Sequence, residues 1–357
     1  MFSNTHFPET LHGETLDQYL KDGWFRMNHV IYNAHILRYE GKLLSPIRLR
    51  YDLLKWTPAS TVQKLSKRNR ALRVVFHPIE ISEEHEEVYA LYRQFRFGID
   101  PYNLKMSILG PAGQNPFDTW MVDCFDGDRL IGSGLFDKGK KSAAGIISFY
   151  DPNYQSQSIG KFLIFQMLQH CKENGFDYFY PGYMIPGIPD FDYKMGMGGE
   201  ATEFYQLTTD QWKSWTFYSS GEHHVEKMIY MLKQVVQLPR EWKHPLQLVY
   251  NDHFDIGLYQ PFADQVWDFP VFIRMGKIQS SSLELLLVFN IRTEMFELYV
   301  TEEIPDTEMI EENGEWHCQK FIATEKLDLN AEELLQLTGL PTFSQEPIST
   351  TENNPSI

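Results

Sequence analysis

The stretch from Gly145 to Gly187, GIISFYDPNYQSQSIGKFLIFQMLQHCKENGFDYFYPGYMIPG, decides the fold. The β-branched and aromatic run Ile146–Tyr150 predicts a strand, and Asp151–Asn153 predicts a turn because Asp, Pro and Asn favour turns. Apolar residues then recur at helical spacing from Ile159 to Cys171, which predicts a helix. Phe176–Tyr180 predicts a second strand. The stretch therefore encodes a strand–turn–helix–strand unit.

The ends of these elements are also marked in the sequence. Ser158 is a favourable N-cap for the helix, and Gly175 is placed to end it. Pro181-Gly182 is expected to break the second strand. The start of the helix would then face the ends of two neighbouring strands, where free backbone N–H groups form a site for an anion.

This unit resembles the core of the GNAT acyltransferases, whose anion loop reads Gln/Arg-x-x-Gly-x-Gly/Ala. Gln157-Ser158-Ile159-Gly160-Lys161-Phe162 keeps the first half of that motif and replaces the final small residue with Phe162. A coenzyme A pyrophosphate needs the small residue for close approach. The replacement favours a different acyl donor.

A longer ordered set of motifs, between Gly132 and Tyr205, resembles the C-terminal half of the arginyl- and leucyl-tRNA–protein transferases. The motifs are Phe149-Tyr150-Asp151-Pro152, Ser158-Ile159-Gly160, Tyr178-Phe179-Tyr180-Pro181-Gly182-Tyr183, Pro186-Gly187 and Asp192-Tyr193-Lys194. The resemblance implies a GNAT-like fold and an acyl group taken from aminoacyl-tRNA. It further implies transfer of Arg or Leu to the N-terminal amine of proteins that begin with an acidic residue, as in the N-degron pathway.

The N-terminal part carries weaker motifs of the same family. They are Gly23-Trp24-Phe25, Pro46-Ile47-Arg48, Trp56-Thr57-Pro58-Ala59-Ser60 and Lys67-Arg68-Asn69-Arg70-Ala71-Leu72. Family members usually carry a cysteine cluster near the first of these motifs, but residues 32–44 contain no Cys. We therefore expect no metal site or iron–sulfur cluster there. The basic motif is degraded at Ser60–Leu65, which predicts altered contacts with tRNA.

The charge is unevenly distributed. The chain of 357 residues has a formal net charge of −16, which argues against binding to nucleic acid. Residues 42–73, however, contain nine Lys and Arg and a single acid, Asp52, whereas residues 211–357 contain 10 basic and 23 acidic residues. We therefore predict one basic face that contacts RNA phosphates, although a solvated helix surface would have the same composition.

From these patterns we predict an α+β fold with a GNAT-like acyltransferase core, in which a mixed, mostly antiparallel sheet carries helices on both faces. The expected units are an N-terminal basic subdomain (1–74), the transferase core (75–210), an acidic C-terminal α+β domain (211–340) and a flexible tail (341–357). Sequence runs also predict a hairpin over residues 119–136, a helix over 221–238 and a hairpin over 282–303.

The expected roles of the site residues follow the resemblance. Asp151 and Tyr150 are the catalytic candidates, with Asp151 as a base or as a simple turn former. Lys194 and Tyr193 would bind the acceptor, Lys194 (or Arg68 with Arg70) by pairing with its acidic side chain. The residues expected to bind the tRNA and its aminoacyl end are Gln157, Ser158, Ile159, Gly160, Tyr180, Tyr183, Lys67, Arg68 and Arg70.

Composition limits the alternatives. No G-x-S-x-G motif and no persuasive catalytic Cys/His pair is found, and Cys124, Cys171 and Cys318 are scattered, so we predict no covalent intermediate, no cofactor and no metal. We expect a cytoplasmic protein without a membrane span or signal peptide. Two other functions remain open: a GNAT acetyltransferase that uses acetyl-coenzyme A, and a binding protein that has lost catalysis.

Overall fold

The computed structural model describes residues 2–39, 41–98, 103–111, 113–237, 246–258, 267–278 and 281–327. The N-terminal segment forms a small sheet in the order β1-β3-β2, with one helix and a separate two-stranded ribbon. Its elements are β1 (Ser3–His6), α1 (Gly13–Lys21), β2 (Phe25–Met27), β3 (Val30–Ala34), β4 (Leu37–Tyr39) and β5 (Lys42–Leu44).

The central part of the chain forms an eight-stranded sheet. Its strands and helices are β6 (Ile47–Asp52), α2 (Ser60–Arg68), β7 (Arg73–Pro78), α3 (Glu83–Phe97), α4 (Leu104–Leu109), β8 (Thr119–Asp126), β9 (Arg129–Lys138), β10 (Ser142–Tyr150), α5 (Ile159–Glu173), β11 (Tyr178–Met184), α6 (Tyr193–Gly198), β12 (Thr202–Gln206) and β13 (Gln211–Ser214). The strand order is β13-β12-β6-β11-β10-β9-β8-β7. Only β10 and β11 run parallel; the other neighbours in this sheet are antiparallel.

The C-terminal part forms a seven-stranded sheet covered by one helix. Its elements are α7 (His224–Gln237), β14 (Gln247–Asn251), β15 (Val271–Lys277), β16 (Leu283–Asn290), β17 (Met295–Glu302), β18 (Met309–Glu312), β19 (Glu315–Cys318) and β20 (Thr324–Leu327). The strand order is β18-β19-β14-β15-β16-β17-β20. The predicted helix and the β16–β17 hairpin are confirmed. The predicted tail at 341–357 lies outside the described residues.

Helices cover both faces of the central sheet. On one face, α3 packs Val88 and Tyr89 in one apolar cluster with Met121 and Leu135. On the other face, α5 packs into a cluster that contains Val122. Met121 and Val122 are consecutive residues of β8, and consecutive side chains of a strand point to opposite faces. The predicted α+β fold class, with a mixed, mostly antiparallel sheet between helices, is confirmed.

The N-terminal segment takes part in the central sheet. The strand β6 lies between β12 and β11, so residues 47–52 lie inside the sheet of the predicted core. The strand β13 likewise pairs with β12. The domain boundaries at residues 74 and 210 stay predictions, but these two strands join the segments on either side of them into one sheet.

The parallel pair β10–β11 separates partway along its length. The pairing runs only from Ser142 with Tyr178 to Ala144 with Tyr180. Beyond it, β10 has a register shift between Gly145 and Ile147 against β9, and β11 has one between Phe179 and Gly182 against β6. The predicted strand end at Pro181-Gly182 is wrong, because β11 continues to Met184 through this irregularity. The two strands diverge instead of ending.

The caps of the helices follow the sequence only in part. Ser82 caps α3 in a capping box with His85, as an N-cap serine is expected to do. Ser158 stands at the N-cap position of α5 but has left-handed backbone angles, φ 55° and ψ 47°, and its side chain makes no cap hydrogen bond. The predicted role of its hydroxyl is therefore wrong.

The helices in the described part of the chain include none that is both long enough and apolar enough to cross a membrane.

We expect Gly198→Ala to destabilise the protein. A Cβ atom at this buried position would lie 2.3 Å from a ring carbon of Tyr51 and 2.3 Å from Oγ1 of Thr202. Tyr51 cannot easily move, because it is buried and donates a hydrogen bond to the backbone oxygen of Lys194. The loss in free energy of unfolding should be about 1–3 kcal/mol.

The matched control for this change is Gly196→Ala, in the same helix, where an added Cβ meets nothing within 4 Å. It should leave stability unchanged or raise it by about 0.5–1 kcal/mol, since Ala favours helix over Gly. Urea denaturation of both variants measures the difference. Equal free energies of unfolding for the two variants would contradict the packing described for Tyr51.

Candidate active site

The divergence of β10 and β11 opens the central sheet on both of its faces. Gly145, Ile146 and Pro181 line the opening on both sides. On the α5 side lies a narrow crevice of about 50 Å³, lined also by Ile147, Ser148, Ile164, Met167, Phe179 and Tyr193. On the side of the N-terminal segment lies a larger cleft of about 270 Å³, lined also by Phe25, Arg26, Tyr32, Asp137, Ala144, Gly182, Tyr183, Phe191 and Lys194. Two compartments therefore meet at the gap between the strands.

Lys194 supplies a buried amine to the larger cleft. The residue is 8% exposed, and its Nζ donates a hydrogen bond of 2.5 Å to the backbone oxygen of Tyr183. Its ammonium also lies 5.5 Å from the ring centre of Tyr183 and 5.2 Å from that of Phe191. Burial lowers the pKa of Lys194 to about 7. No ion pair to Lys194 is found among the residues described here, so the amine has hydrogen-bond acceptors but no counter-charge.

A buried ion pair forms the opposite part of the cleft. Arg26 Nη1, from β2, lies 2.7 Å from Asp137 Oδ1, at the end of β9. The Thr119 hydroxyl donates a second bond to the same oxygen, at 2.6 Å. Arg26 is further fixed by a 2.7 Å bond to the backbone oxygen of Ile108 and by its position 4.4 Å from the ring centre of Phe117. The N-terminal segment therefore holds Asp137 in place.

The second oxygen of Asp137 is not used by these contacts. Asp137 is 0% exposed, and its Oδ2 has no hydrogen-bond partner among the described residues. Burial raises the pKa of Asp137, and the nearby Arg26 only partly opposes this effect. A buried carboxylate oxygen without a donor is costly, so such an atom points to a missing ligand group.

The start of α5 lies beside the basic helix α2. Arg68 Nη1 donates a 3.1 Å bond to the backbone oxygen of Ser156, and Asn69 Nδ2 donates a 3.1 Å bond to that of Gln157. Lys67, Arg68 and Arg70 are exposed; we call these three residues the basic ridge. The predicted anion loop and the predicted RNA-binding residues are thus neighbours.

Gly160 brings this helix close to the end of β10. A Cβ atom at Gly160 would lie 3.3 Å from the ring of Tyr150, and that ring also lies 5.5 Å from the ring of Tyr92. Tyr150 therefore packs between α5 and α3. Ile159 is fully buried, so no part of it is exposed to a ligand. Phe162, the residue that departs from the GNAT motif, is buried in the cluster of α5.

Asp151 makes contacts that belong to a turn cap. Its Oδ1 accepts bonds of 2.9 Å from both the backbone N and the side-chain Nδ2 of Asn153, and its Oδ2 pairs with Arg129. The residue is 1% exposed, and it begins the 3-10 helix Pro152–Gln157. Both carboxylate oxygens are occupied, so the turn-former alternative describes what Asp151 contacts in the structure. Its catalytic role stays a prediction.

The predicted tyrosines separate into different environments. Tyr183 lines the larger cleft and Tyr193 lines the narrow crevice, and burial raises the pKa of each to about 12. Tyr180 lines neither compartment: it is 1% exposed and its ring packs against Trp212 at 5.5 Å. Contact of Tyr180 with the tRNA or its aminoacyl end would require this packing to open. Tyr193 and Lys194, which are both expected to bind the acceptor, line different compartments.

The cysteines are poor nucleophiles. Burial raises the pKa of Cys124 and of Cys171 to about 12, and Cys318 is buried as well. A group that could hold a metal does occur in the described residues: His77, His85 and Asp123, whose ligand atoms lie within 4.8 Å of one another. Both imidazoles bond to Oδ2 of Asp123, at 2.9 and 3.0 Å. The group lies on β7, α3 and β8 and contributes no lining residue to either compartment.

Comparison with known proteins shows which family model the part of the chain around this site matches. Residues 84–202 match the family described as arginine-tRNA-protein transferase, C terminus. This range includes β8 to β11, α5 and Lys194. This third of the chain is therefore similar to the C-terminal part of the arginine-tRNA-protein transferases.

Curated relatives carry a more specific name. An aspartate/glutamate leucyltransferase of Leptospira interrogans is 28% identical over 196 residues, which cover 53% of this chain and 74% of the relative. The enzyme of the same name from Vibrio cholerae is 26% identical over 194 residues, covering 53% and 79%. That from Thiobacillus denitrificans is 27% identical over 154 residues, covering 42% and 62%.

Solved structures are similar only at a low level. FemX covers 52% of this chain and 64% of its own, with a TM-score of 0.34 and 5% identity. A GCN5-related glucosamine N-acetyltransferase region of a fungal β-N-acetylglucosaminidase covers 54% and 22%, with a TM-score of 0.29 and 14% identity. Scores of this size carry no argument about function.

Sequence reasoning missed part of the cleft. Arg26 and Asp137 were not among the predicted site residues, although Asp137 is an acid that directly follows a run of apolar and small residues, 130–136, in the same strand. An acid at such a position is rarely buried without a partner. That pattern, together with Arg26 in a short strand of the N-terminal segment, is the signal that could have indicated them.

We expect the pKa of Lys194 to make the stability of the protein rise with pH. Burial holds the folded pKa near 7, so between pH 7 and the unfolded pKa of 10.5 the unfolded chain binds more protons than the folded one. Lys194→Met should remove up to about 4 kcal/mol of this pH-dependent gain. Urea denaturation of both proteins from pH 7 to pH 10 measures the change. Parallel stability curves would show that Lys194 is not buried as described.

Proposed function

We propose that this protein is an aminoacyl-tRNA–protein transferase that moves leucine from charged tRNA to the N-terminal amine of proteins that begin with Asp or Glu. The observation that carries the proposal is the buried amine of Lys194, which has no ion-pair partner among the described residues and lies in a cleft that meets the gap between β10 and β11. The match of residues 84–202 to the family model and the names of the relatives support it. The protein would act in the cytoplasm, where charged tRNA is available.

Lys194 suits the side chain of an acidic acceptor residue. A carboxylate that enters the cleft would supply the missing negative charge and would restore the ammonium form, since an opposite charge raises the pKa of a buried lysine. A neutral side chain of the same size would leave the amine uncompensated. The cleft would therefore select Asp and Glu by charge.

The narrow crevice suits the donor. It lies on the α5 side of the opening, next to the helix start that the sequence motif marks as an anion site, and its walls include Ile147, Ile164 and Met167. Apolar walls favour leucine over the guanidinium of arginine. Donor and acceptor would then approach from opposite faces of the sheet and meet beside Gly145 and Pro181.

The basic ridge suits the tRNA backbone. Lys67, Arg68 and Arg70 are exposed next to the loop that precedes α5, so a tRNA whose 3′ end enters the crevice would run its phosphates along α2. Lys and Arg contacts to phosphate supply most of the affinity for nucleic acid. This local charge would overcome the negative net charge of the chain.

The reaction depends more on positioning of the two substrates than on chemical activation of either one. The ester of an aminoacyl-tRNA is already activated, and an α-amine with an ordinary pKa near 8 needs only modest help to lose its proton. The buried cysteines, with pKa values raised to about 12 by burial, are unsuited to forming a thioester. Direct attack of the amine on the ester is therefore the simplest route.

The first test is transfer of a labelled amino acid. The full-length protein is incubated with Leu-tRNA or Arg-tRNA and with peptides that begin with Asp, Asn or Ala, and with acetyl-coenzyme A in a parallel reaction. Leucine should be incorporated into the Asp peptide. Incorporation of arginine would show that the donor is Arg-tRNA. Acetylation would show that the protein is an acetyltransferase, and no transfer at all would favour a binding protein.

Lys194→Met should separate acceptor use from tRNA binding. It should lower kcat/KM for the Asp peptide by about 10- to 100-fold, because a bond between charged groups contributes about 1.5–3 kcal/mol, and leave the Kd for tRNA unchanged. Lys233→Met, at an exposed position on α7, is the matched control and should behave as wild type. Equal losses of transfer and of tRNA affinity in Lys194→Met would reject the assigned role.

Changes in the basic ridge should act on the tRNA alone. Lys67→Ala and Arg70→Ala should each weaken tRNA binding and reduce the slope of log K against log salt by about 1. Lys233→Ala serves as control, and filter binding from 50 to 200 mM salt covers a range in which such a slope is measurable. Slopes that match the control would place the tRNA elsewhere on the protein.

A further inference from the structure

The larger cleft contains a second buried charged group that the proposed roles do not use. Asp137 lies at the end of β9, with one carboxylate oxygen held by Arg26 and Thr119 and the other without a partner among the described residues. It lines the same cleft as Lys194. The cleft thus presents an anion and a cation.

Such a pair of charges matches the first residue of a protein that begins with Asp or Glu. That residue carries a carboxylate on its side chain and an α-amine on its backbone. Lys194 is the partner for the carboxylate, and a carboxylate oxygen without a donor is the partner for an ammonium group. The α-ammonium group of such a residue would also supply a donor to the Asp137 oxygen that has no partner among the described residues.

We propose that Asp137 binds the α-amine of the acceptor and takes up the proton that this amine loses as it attacks. The inference rests on the proposed function. It makes Asp137, and not Asp151, the group that touches the reacting nitrogen. Asp151 differs from it in that both of its oxygens are occupied by Asn153 and Arg129.

The step balances without a further reactant. The α-ammonium group first loses one proton to solvent. The neutral amine nitrogen then attacks the ester carbonyl carbon, and an amide bond forms. One proton of the amine passes to the Asp137 carboxylate. The bond between the carbonyl carbon and the ribose oxygen of the tRNA breaks, and that oxygen takes the proton back from Asp137. The products are an extended protein and a tRNA with a free hydroxyl group. Positioned proton transfer of this kind contributes about 10²–10⁴-fold to a rate.

Arg26 has a positioning role in this arrangement. It fixes the first oxygen of Asp137 through Nη1, while Nη2 bonds to Ile108 and, at 3.1 Å, to Asn115. Because its donors are engaged by these protein groups, it is held away from the substrate carboxylate. The cleft therefore uses one cation to orient the acid and another, Lys194, to select the acceptor.

The test is a binding cycle that combines two changes, removal of the peptide amine and replacement of Asp137. Peptides that begin with Asp and with its des-amino analogue, a succinyl group, are titrated into wild-type protein and into Asp137→Asn by calorimetry. In wild type, removal of the amine should weaken binding by at least about 10-fold, as expected for a charge-assisted bond. In Asp137→Asn the two peptides should bind equally.

Controls separate this inference from the proposed function. Asp128→Asn, in the exposed turn between β8 and β9, should retain the wild-type preference for the amine. Transfer of leucine by wild type with undiminished transfer by Asp137→Asn would overturn the inference and leave the proposed function intact. No transfer by wild type would reject the proposed function itself.

Asp137→Asn also leaves Arg26 with a neutral partner, so its folding is checked by circular dichroism. If it does not fold, the wild-type protein still decides. A carbodiimide, which joins an amine to a carboxylate without a spacer, should couple the bound peptide amine to Asp137, as located by mass mapping. Coupling at a different carboxylate, or equal affinity of wild type for the two peptides, would overturn the proposal.

Discussion

The separation of β10 from β11 is the constraint on which the site depends. The two strands pair in parallel as far as Ala144 and Tyr180, and the register shifts at Gly145–Ile147 and Phe179–Gly182 then lead them apart. Strands that diverge leave backbone groups unpaired and a hole in the sheet, which a folded protein tolerates where a ligand fills it. Both compartments of the site share Gly145, Ile146 and Pro181 at this hole.

The charges around the hole are costly unless a substrate completes them. Lys194 is buried beside a carbonyl and two aromatic rings, and Asp137 is buried with one oxygen that has no partner among the described residues. Contacts within the described part of the protein offset only part of the free-energy cost of removing these two charges from water. The two buried charges lower the free energy of unfolding. Binding of a substrate with the complementary charges would offset that loss. Residues held at such a cost mark functional sites more reliably than exposed charges do.

The sequence predicted the architecture near the site because local patterns encode it. The β8–β9 hairpin and the strand–helix–strand unit from β10 to β11 follow from periodicity and turn residues. Lys194 was found through a motif. Arg26 and Asp137 were not, because they lie 111 residues apart and only the tertiary fold brings them together.

Errors of interpretation have a similar cause. Pro181-Gly182 reads as a strand end, since Pro cannot donate to a ladder, yet pairing with β6 resumes at Gly182 and carries β11 on to Met184. Tyr180 and Tyr183 read alike in sequence, but the irregularity between them places one in a buried cluster and the other in the cleft. A local pattern does not reveal which neighbour a strand gains.

The most direct measurement is a crystal structure with a stable tetrahedral mimic, in which a phosphorus atom replaces the leucyl carbonyl carbon and joins the amine of an Asp-initiated peptide to the ribose of adenosine. We predict that this phosphorus atom lies in the gap beside Gly145 and Pro181, with the leucyl side chain and adenosine on the α5 side and the Asp side chain at Lys194. A mimic that lies entirely on one face of the sheet, with the gap empty, would contradict this account.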